Sequence, residues 1–511
     1  MLVHHFFEKT AQREPHKIAL ICEGRSYTYA EINEAAKRLG ASMLRRGVDR
    51  NDRVAIFMDN SVEAVVAIYA ALKIGAIFMP INALTKADKL AYILNDAEAT
   101  CLVTHAARRS EWQPVLDRSA TVHTCVVVGE ESGGALRDER LMRYNDAVMG
   151  AQSDNQESQA IDQDLASILY TSGSTGDPKG VMLTHLNMIS ASNSVLEYLK
   201  FRSDDVILCI MSLAYGYGLY HVLMGFQVGA TVVLERSLAF PVKTLELMAH
   251  HHVTVLPGTP TIFSMLLNVK TVSKYDLRAL RLITNAAAAL SQEHLRRLRE
   301  TFPRAVFFSM YGLTECKRVT YLPPDQLDIR PTSVGRGMPN QECWLVDDHG
   351  KRLPNGSTGE LVIRGSHVMR GYWRKPEETA KRLKPGPNPG EWVLHSGDLF
   401  RTDEEGYLYF VARKDDIIKS RGEKISPVEV ENALYRLDGV LEAAVVGVPD
   451  PVLGQAIKAF LVLKAGYSYS EKDVVRHCLA KLENFMAPKY VVFMESLPKT
   501  DNGKIKKMAL T

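Results

Sequence analysis

The chain has 511 residues, 46% hydrophobic and 24% charged, with a formal net charge of +3. That length exceeds one ordinary core, so at least two domains are expected. The charge balance, with no dominant basic block, excludes a nucleic-acid partner, and seven cysteines without a CxxC pair argue against a disulfide framework.

The opening stretch, Met1 to Lys9, turns polar too soon for a signal peptide, which makes the cytoplasm the expected location. The most apolar stretch, residues 64–81, is interrupted by Lys73, Gly75 and Pro80. It predicts a buried helix over 61–72 and a buried strand over 76–79, not a membrane span. Further strands are expected at 101–103 and 124–128. Residues 151–164 are polar and aperiodic and read as a surface loop. Three prolines and two glycines at 384–391 rule out a helix or central strand there. Such alternation implies an α/β fold with largely buried sheets. From about residue 415 a helix (427–437), two strands (443–448 and 459–464) and a helix (471–482) suffice for a small α+β unit.

The strongest local signal is Tyr170-Thr171-Ser172-Gly173-Ser174-Thr175-Gly176-Asp177-Pro178-Lys179-Gly180, between apolar runs at 165–169 and 181–183. Its glycines permit close approach of backbone N–H groups to a ligand. The hydroxyls of Thr171, Ser172, Ser174 and Thr175 add donors, and Lys179 supplies a point charge. The spacing is not that of the Walker loop, and no kinase motif is present.

Five more segments follow: Asn285 to Leu290, with its run of four alanines; Tyr311-Gly312-Leu313-Thr314-Glu315; Ser396-Gly397-Asp398; Arg413 to Gly422; and Leu497-Pro498-Lys499-Thr500-Asp501-Asn502-Gly503-Lys504-Ile505. Together with the loop, in this order, they resemble the acyl-adenylate-forming superfamily: acyl-CoA synthetases, peptide-synthetase adenylation domains and luciferase-like enzymes. The resemblance implies a large N-terminal α/β domain of several subdomains (1–414, AMP-binding) and a small mobile C-terminal α+β lid (415–511). It also implies ATP and Mg2+ as cofactors, and CoA or a carrier-protein phosphopantetheine as thiol acceptor.

On that resemblance, Tyr311 offers a flat face for adenine, and Ala287 and Ala288 permit close approach from the other side. Glu315 resembles the magnesium-associated carboxylate, Thr314 bonds the α-phosphate, and Asp398 and Arg413 hold the ribose hydroxyls. Lys504 on the lid screens the repulsion between carboxylate and α-phosphate. Asp415 matches the hinge, and Gly422 lines the thiol channel.

The stretch Met211 to Leu219 resembles the acid-binding segment, with Tyr215, Gly216, Tyr217 and His221 (and Met224 beyond) as pocket walls. Adenylation domains for α-amino acids usually carry an aspartate where this chain has Gly216. No acidic residue lies between Asp205 and Glu235. An unpaired buried ammonium is costly, so a plain carboxylic acid is expected. A weaker resemblance of the segments at 311–322 and 330–335 to free-standing ligases that load carrier proteins keeps two alternatives open. These are a carrier-protein partner and an amino acid such as proline as substrate.

Overall fold

The computed structural model describes residues 1–511 apart from 130–137, 151–157, 172–176, 237–239, 287–289, 291, 421–422, 500–504 and 511, and the side chains of 293, 415 and 424. Ser61 shows how local sequence starts an element. Its Oγ accepts from Ala64 N at 3.2 Å and caps the helix Val62–Lys73. That helix is buried almost all round, as its apolar composition requires. Gly75, with φ +75°, then turns the chain into the strand Ile77–Ile81. Both predicted elements are present, and Ser61 serves as the cap.

Among the described residues the two largest sheets have nine and eight strands. In one, Ile77–Ile81, Arg53–Phe57, Cys101–His105 and Thr124–Val128 run parallel. Leu165–Thr171 pairs parallel to Ile77–Ile81 and antiparallel to Lys179–Thr184. In the other, Thr231–Leu234, Val206–Cys209, Val255–Gly258, Leu282–Asn285 and Val306–Tyr311 run parallel in that spatial order. The largest apolar cluster draws on both sheets. At its centre three helices meet through aromatic rings: Phe7 from Val3–Arg13, Tyr69 from Val62–Lys73 and Phe226 from Gly216–Val228. The Phe7 centroid lies 4.4 Å from Tyr69 and 5.2 Å from Phe226. Thr10 Oγ1 donates to the Phe226 carbonyl at 3.0 Å.

An antiparallel sheet follows, built from Gln341–Val346, Thr358–Gly365, Trp392–Thr402, Leu383–Pro385 and Leu408–Arg413. Leu383–Pro385 is its edge, where proline is tolerated. The C-terminal unit holds the four expected elements, with helices Pro427–Leu434 and Glu471–Leu479. The first ends before the predicted Leu437 because Arg436 and Leu437 donate to carbonyls three residues back, closing a turn. Its strands, Val440–Asp450 and Gly454–Leu463, are longer than predicted and form one antiparallel hairpin. Asp450 Oδ1 ties the turn by accepting from Val452 N and Leu453 N at 3.0 and 2.9 Å. All seven cysteines are free. Among the described residues no helix is long and apolar enough to cross a membrane.

Candidate active site

Strand pairing brings the first predicted group together. Asp398 on Trp392–Thr402 lies directly opposite Arg413, the last residue of Leu408–Arg413, with Arg413 Nε 3.8 Å from Asp398 Oδ1. Tyr311 ends the strand Val306–Tyr311 of the other sheet, and its hydroxyl donates to Asp398 Oδ2 at 2.6 Å. Its ring meets Phe400 edge-on at 4.8 Å. Burial raises the Asp398 carboxyl above its ordinary 3.8, against the Tyr311 hydrogen bond and the charge of Arg413.

Glu360, which the motifs did not point to, holds this corner. Its Oε1 accepts from Gly397 N at 2.9 Å and its Oε2 from Lys414 Nζ at 2.8 Å. Burial opposes its ionisation, but His395, Lys414 and Gly397 N outweigh it and lower its pKa to about 2.

Thr171 and Lys179 pair across the two strands that flank the Ser/Gly segment. Ser172, Gly173, Ser174, Thr175 and Gly176 lie outside the described residues, as do Ala287 and Ala288. The Lys179 ammonium pairs with Glu378 and sits 5.7 Å from the Tyr372 ring centroid. Its charge is thus compensated, which the sequence did not reveal. The Tyr372 hydroxyl donates to Glu315 Oε1 at 2.7 Å, so the loop lysine and Glu315 meet across one tyrosine. Among the described residues no cation pairs with Glu315. Thr314 is half-buried in the preceding turn. That turn depends on Gly312: a Cβ there would stand 2.3 Å from the Lys317 carbonyl oxygen.

The third group surrounds the start of the helix Gly216–Val228. Tyr215 Oη accepts from Asn82 Nδ2 at 3.0 Å, and Tyr217 Oη donates to the Thr284 carbonyl at 2.8 Å. Gly218 packs against the backbone of Met211 and Ser212, where a Cβ would come within 2.4 Å of the Ser212 oxygen. His221 and Met224 are fully buried; His221 Nδ1 lies 2.5 Å from the Tyr217 carbonyl, and burial keeps its imidazole well below the ordinary value. His221 therefore braces the helix. Asp205 is neutralised elsewhere by Arg281, Nε to Oδ1 at 2.7 Å.

Two charged residues outside the predicted set complete this end. Lys317 is buried and donates to the Gly216 carbonyl at 2.6 Å, with its ammonium 4.2 Å from the Tyr220 ring centroid. Arg318, also buried, lies 4.9 Å from the Tyr217 ring centroid. Burial first, then Arg318, holds the Lys317 ammonium well below its ordinary value. The available signal was two adjacent charges between Cys316 and Val319.

The connection to the C-terminal unit starts at once. Lys414–Asp416 forms a short 3-10 turn after Arg413, and Ser426 Oγ donates to the Val411 carbonyl at 2.6 Å. The backbone of Asp415 lies in this turn; its side chain, and residues Gly422 and Lys504, lie outside the described residues.

The residues brought together are a buried carboxylate held between a tyrosine and an arginine, and the two strand ends that flank the Ser/Gly segment. The family model for AMP-binding enzymes matches residues 7–373, and that for their C-terminal domain matches residues 429–504; the chain belongs to this family. It is 32% identical to a methyl-dioxo-octahydro-indenyl-propanoyl:CoA ligase of Rhodococcus jostii, over 98% of this chain and 97% of that one. It is 30% identical to a segment of a linear gramicidin synthase from Brevibacillus parabrevis, over 100% of this chain and 6% of that one. The crystal structure of the anthranilate CoA ligase AuaEII with anthranoyl-AMP superimposes with a TM-score of 0.92 at 28% identity, covering 100% of this chain and 96% of that one. The protein is an AMP-forming ligase that uses ATP to activate a small carboxylic acid.

Proposed function

We propose that the enzyme joins a small carboxylic acid to the pantetheine thiol of CoA through an acyl-AMP, residues 1–414 binding ATP and acid and residues 415–511 acting as a mobile lid. The observation that carries this reading is the convergence of Tyr311, Asp398 and Arg413 from two sheets, with Tyr311 donating to Asp398 at 2.6 Å. An ionised carboxylate so held accepts from ribose hydroxyls while the guanidinium donates to them. Adenine lies on the Tyr311 face, with Ala287 and Ala288 opposite.

Thr171, Ser172, Gly173, Ser174, Thr175, Gly176 and Lys179 follow the phosphates, and Thr314 donates to the α-phosphate. Glu315 fits Mg2+: it is a hard oxygen donor, fixed by Tyr372 and unpaired with any cation among the described residues. The ion would supply charge neutralisation on the phosphates. Tyr215, Gly216 and Tyr217 border the acid, with the buried His221 bracing the helix behind them.

Carboxylate attack on the α-phosphorus brings two anions together, and Lys504, delivered by the lid, stabilises the charge as it forms. Rotation about Asp415 then withdraws Lys504 and lets Gly422 line a channel for the thiol arm. A carrier protein presents the same arm, and the likeness to the gramicidin synthase segment supports loading of such a carrier, with an amino acid such as proline, as the second reading.

The test is pyrophosphate release from MgATP across a panel of organic acids, followed by thioester formation with CoA or phosphopantetheinylated carrier protein. Acid-dependent pyrophosphate and AMP are expected. Their absence with every acid would remove the assignment, and thioester on the carrier alone would favour the second reading.

A further inference from the structure

Lys317 and Arg318 are 7% and 3% exposed, and among the described residues no carboxylate makes an ion pair with either. Two adjacent buried cations without a counter-charge are unfavourable unless something else supplies one. The Lys317 ammonium has three donors; the Gly216 carbonyl takes one at 2.6 Å, and the faces of Tyr220 and Tyr217 stand 4.2 and 5.5 Å away. Arg318 Nε is buried without a hydrogen-bond partner, and its guanidinium lies beside Tyr198 and over Tyr217.

The placement is specific. Lys317 sits at φ +64°, a left-handed conformation that a side-chain-bearing residue adopts at a steric cost. That turn, together with the close approach at Gly312, folds Lys317 back from Glu315 onto Gly216, the first residue of the pocket helix. Both cations thus pack against the first turns of the helix Gly216–Val228, the helix that carries the acid-binding segment in the reading above.

We propose that Lys317 and Arg318 form a cationic end to the acid pocket that selects acids bearing a second anionic group and rejects acids bearing an ammonium. This rests on the ligase reading above and names its substrate class. A second carboxylate supplies the missing counter-charge and accepts from the remaining donors, whereas an ammonium adds a third buried cation.

The test uses the full chain with MgATP and matched sets of three acids, from about three to ten carbons: the monocarboxylate, the α,ω-dicarboxylate and the ω-ammonium acid, with proline alongside. The best dicarboxylate is expected to exceed its monocarboxylate in kcat/KM by about tenfold or more, and every ammonium acid to fall below its monocarboxylate by a similar factor. Lys317→Met is expected to lower the dicarboxylate-to-monocarboxylate ratio at least about tenfold, mainly through the dicarboxylate KM.

Acids activated without regard to charge, or proline activated best, overturn the proposal while leaving the ligase reading intact. Failure of every acid to release pyrophosphate overturns both. If Lys317→Met does not fold, as judged by its melting curve, the unaltered enzyme's preference across the matched sets decides alone.

Discussion

The two ends of the site are built on different principles. The proposed nucleotide end is made on strands, with Tyr311, Arg413, Thr171 and Lys179 at strand termini and Asp398 mid-strand opposite Arg413, all set by pairing register and, for Tyr311 and Asp398, tied by a hydrogen bond between sheets. The acid end is a helix start sunk in the core, with Lys317 and Arg318 folded beneath it. The first is a rigid, polar clamp for a ligand that never varies. The second, in the proposed reading, takes its charge from residues outside the recognised acid-binding segment, so specificity can change there without disturbing the clamp.

If this division holds, damage to one end leaves the other's ligand untouched. The largest effect is expected where both must meet: Lys504→Ala should lower acyl-AMP formation by about a hundredfold or more while sparing thioester formation from supplied acyl-AMP. Single-turnover assays of each half-reaction check this, and equal loss in both would contradict it. Gly312→Ala should impair both ends, because its Cβ strikes the Lys317 carbonyl beside Tyr311. Raised KM values for both ATP and acid are expected, about tenfold each; a change in one alone would break the proposed joint.

Asp398→Asn is expected to raise the KM for ATP by roughly ten- to a hundredfold with the acid KM unmoved, as loss of a charge-assisted acceptor implies. The smallest effect is in pH. Burial raises the Asp398 pKa, so its protonated form gains as pH falls, and a protonated carboxyl is a poorer acceptor for ribose. The KM for ATP should therefore climb on acidification, with a midpoint above 3.8, and this climb should vanish in Asp398→Asn.

The same contrast explains what could be read from the sequence. The helix Val62–Lys73 and its following strand were legible because a capping serine, an all-apolar face and a glycine stop are local signals. Tyr311, Asp398 and Arg413 were legible through resemblance, and the structure brings those three together. Glu360, Tyr372 and Glu378 were not, because each acts on a residue 54, 57 or 199 positions away. Lys317 and Arg318 sit beside a recognised motif but look like a solvated basic pair until their burial is seen. The C-terminal hairpin is longer than the sequence suggests because Pro449, Asp450, Gly454 and Gln455 beside its turn look like loop; pairing of Val440–Asp450 with Gly454–Leu463 makes them strand.

The ring stack of Phe7 on Phe226 has a practical corollary. The pocket helix is braced from behind by the amphipathic segment Val3–Arg13, through that stack and the Thr10 hydroxyl. Trimming this leading helix, or straining it with a short fusion, removes the packing behind Gly216–Val228, the helix on which the proposed acid site is built. Substrate preference in such truncated preparations should loosen before nucleotide affinity does, so protein used for substrate screening needs that helix intact.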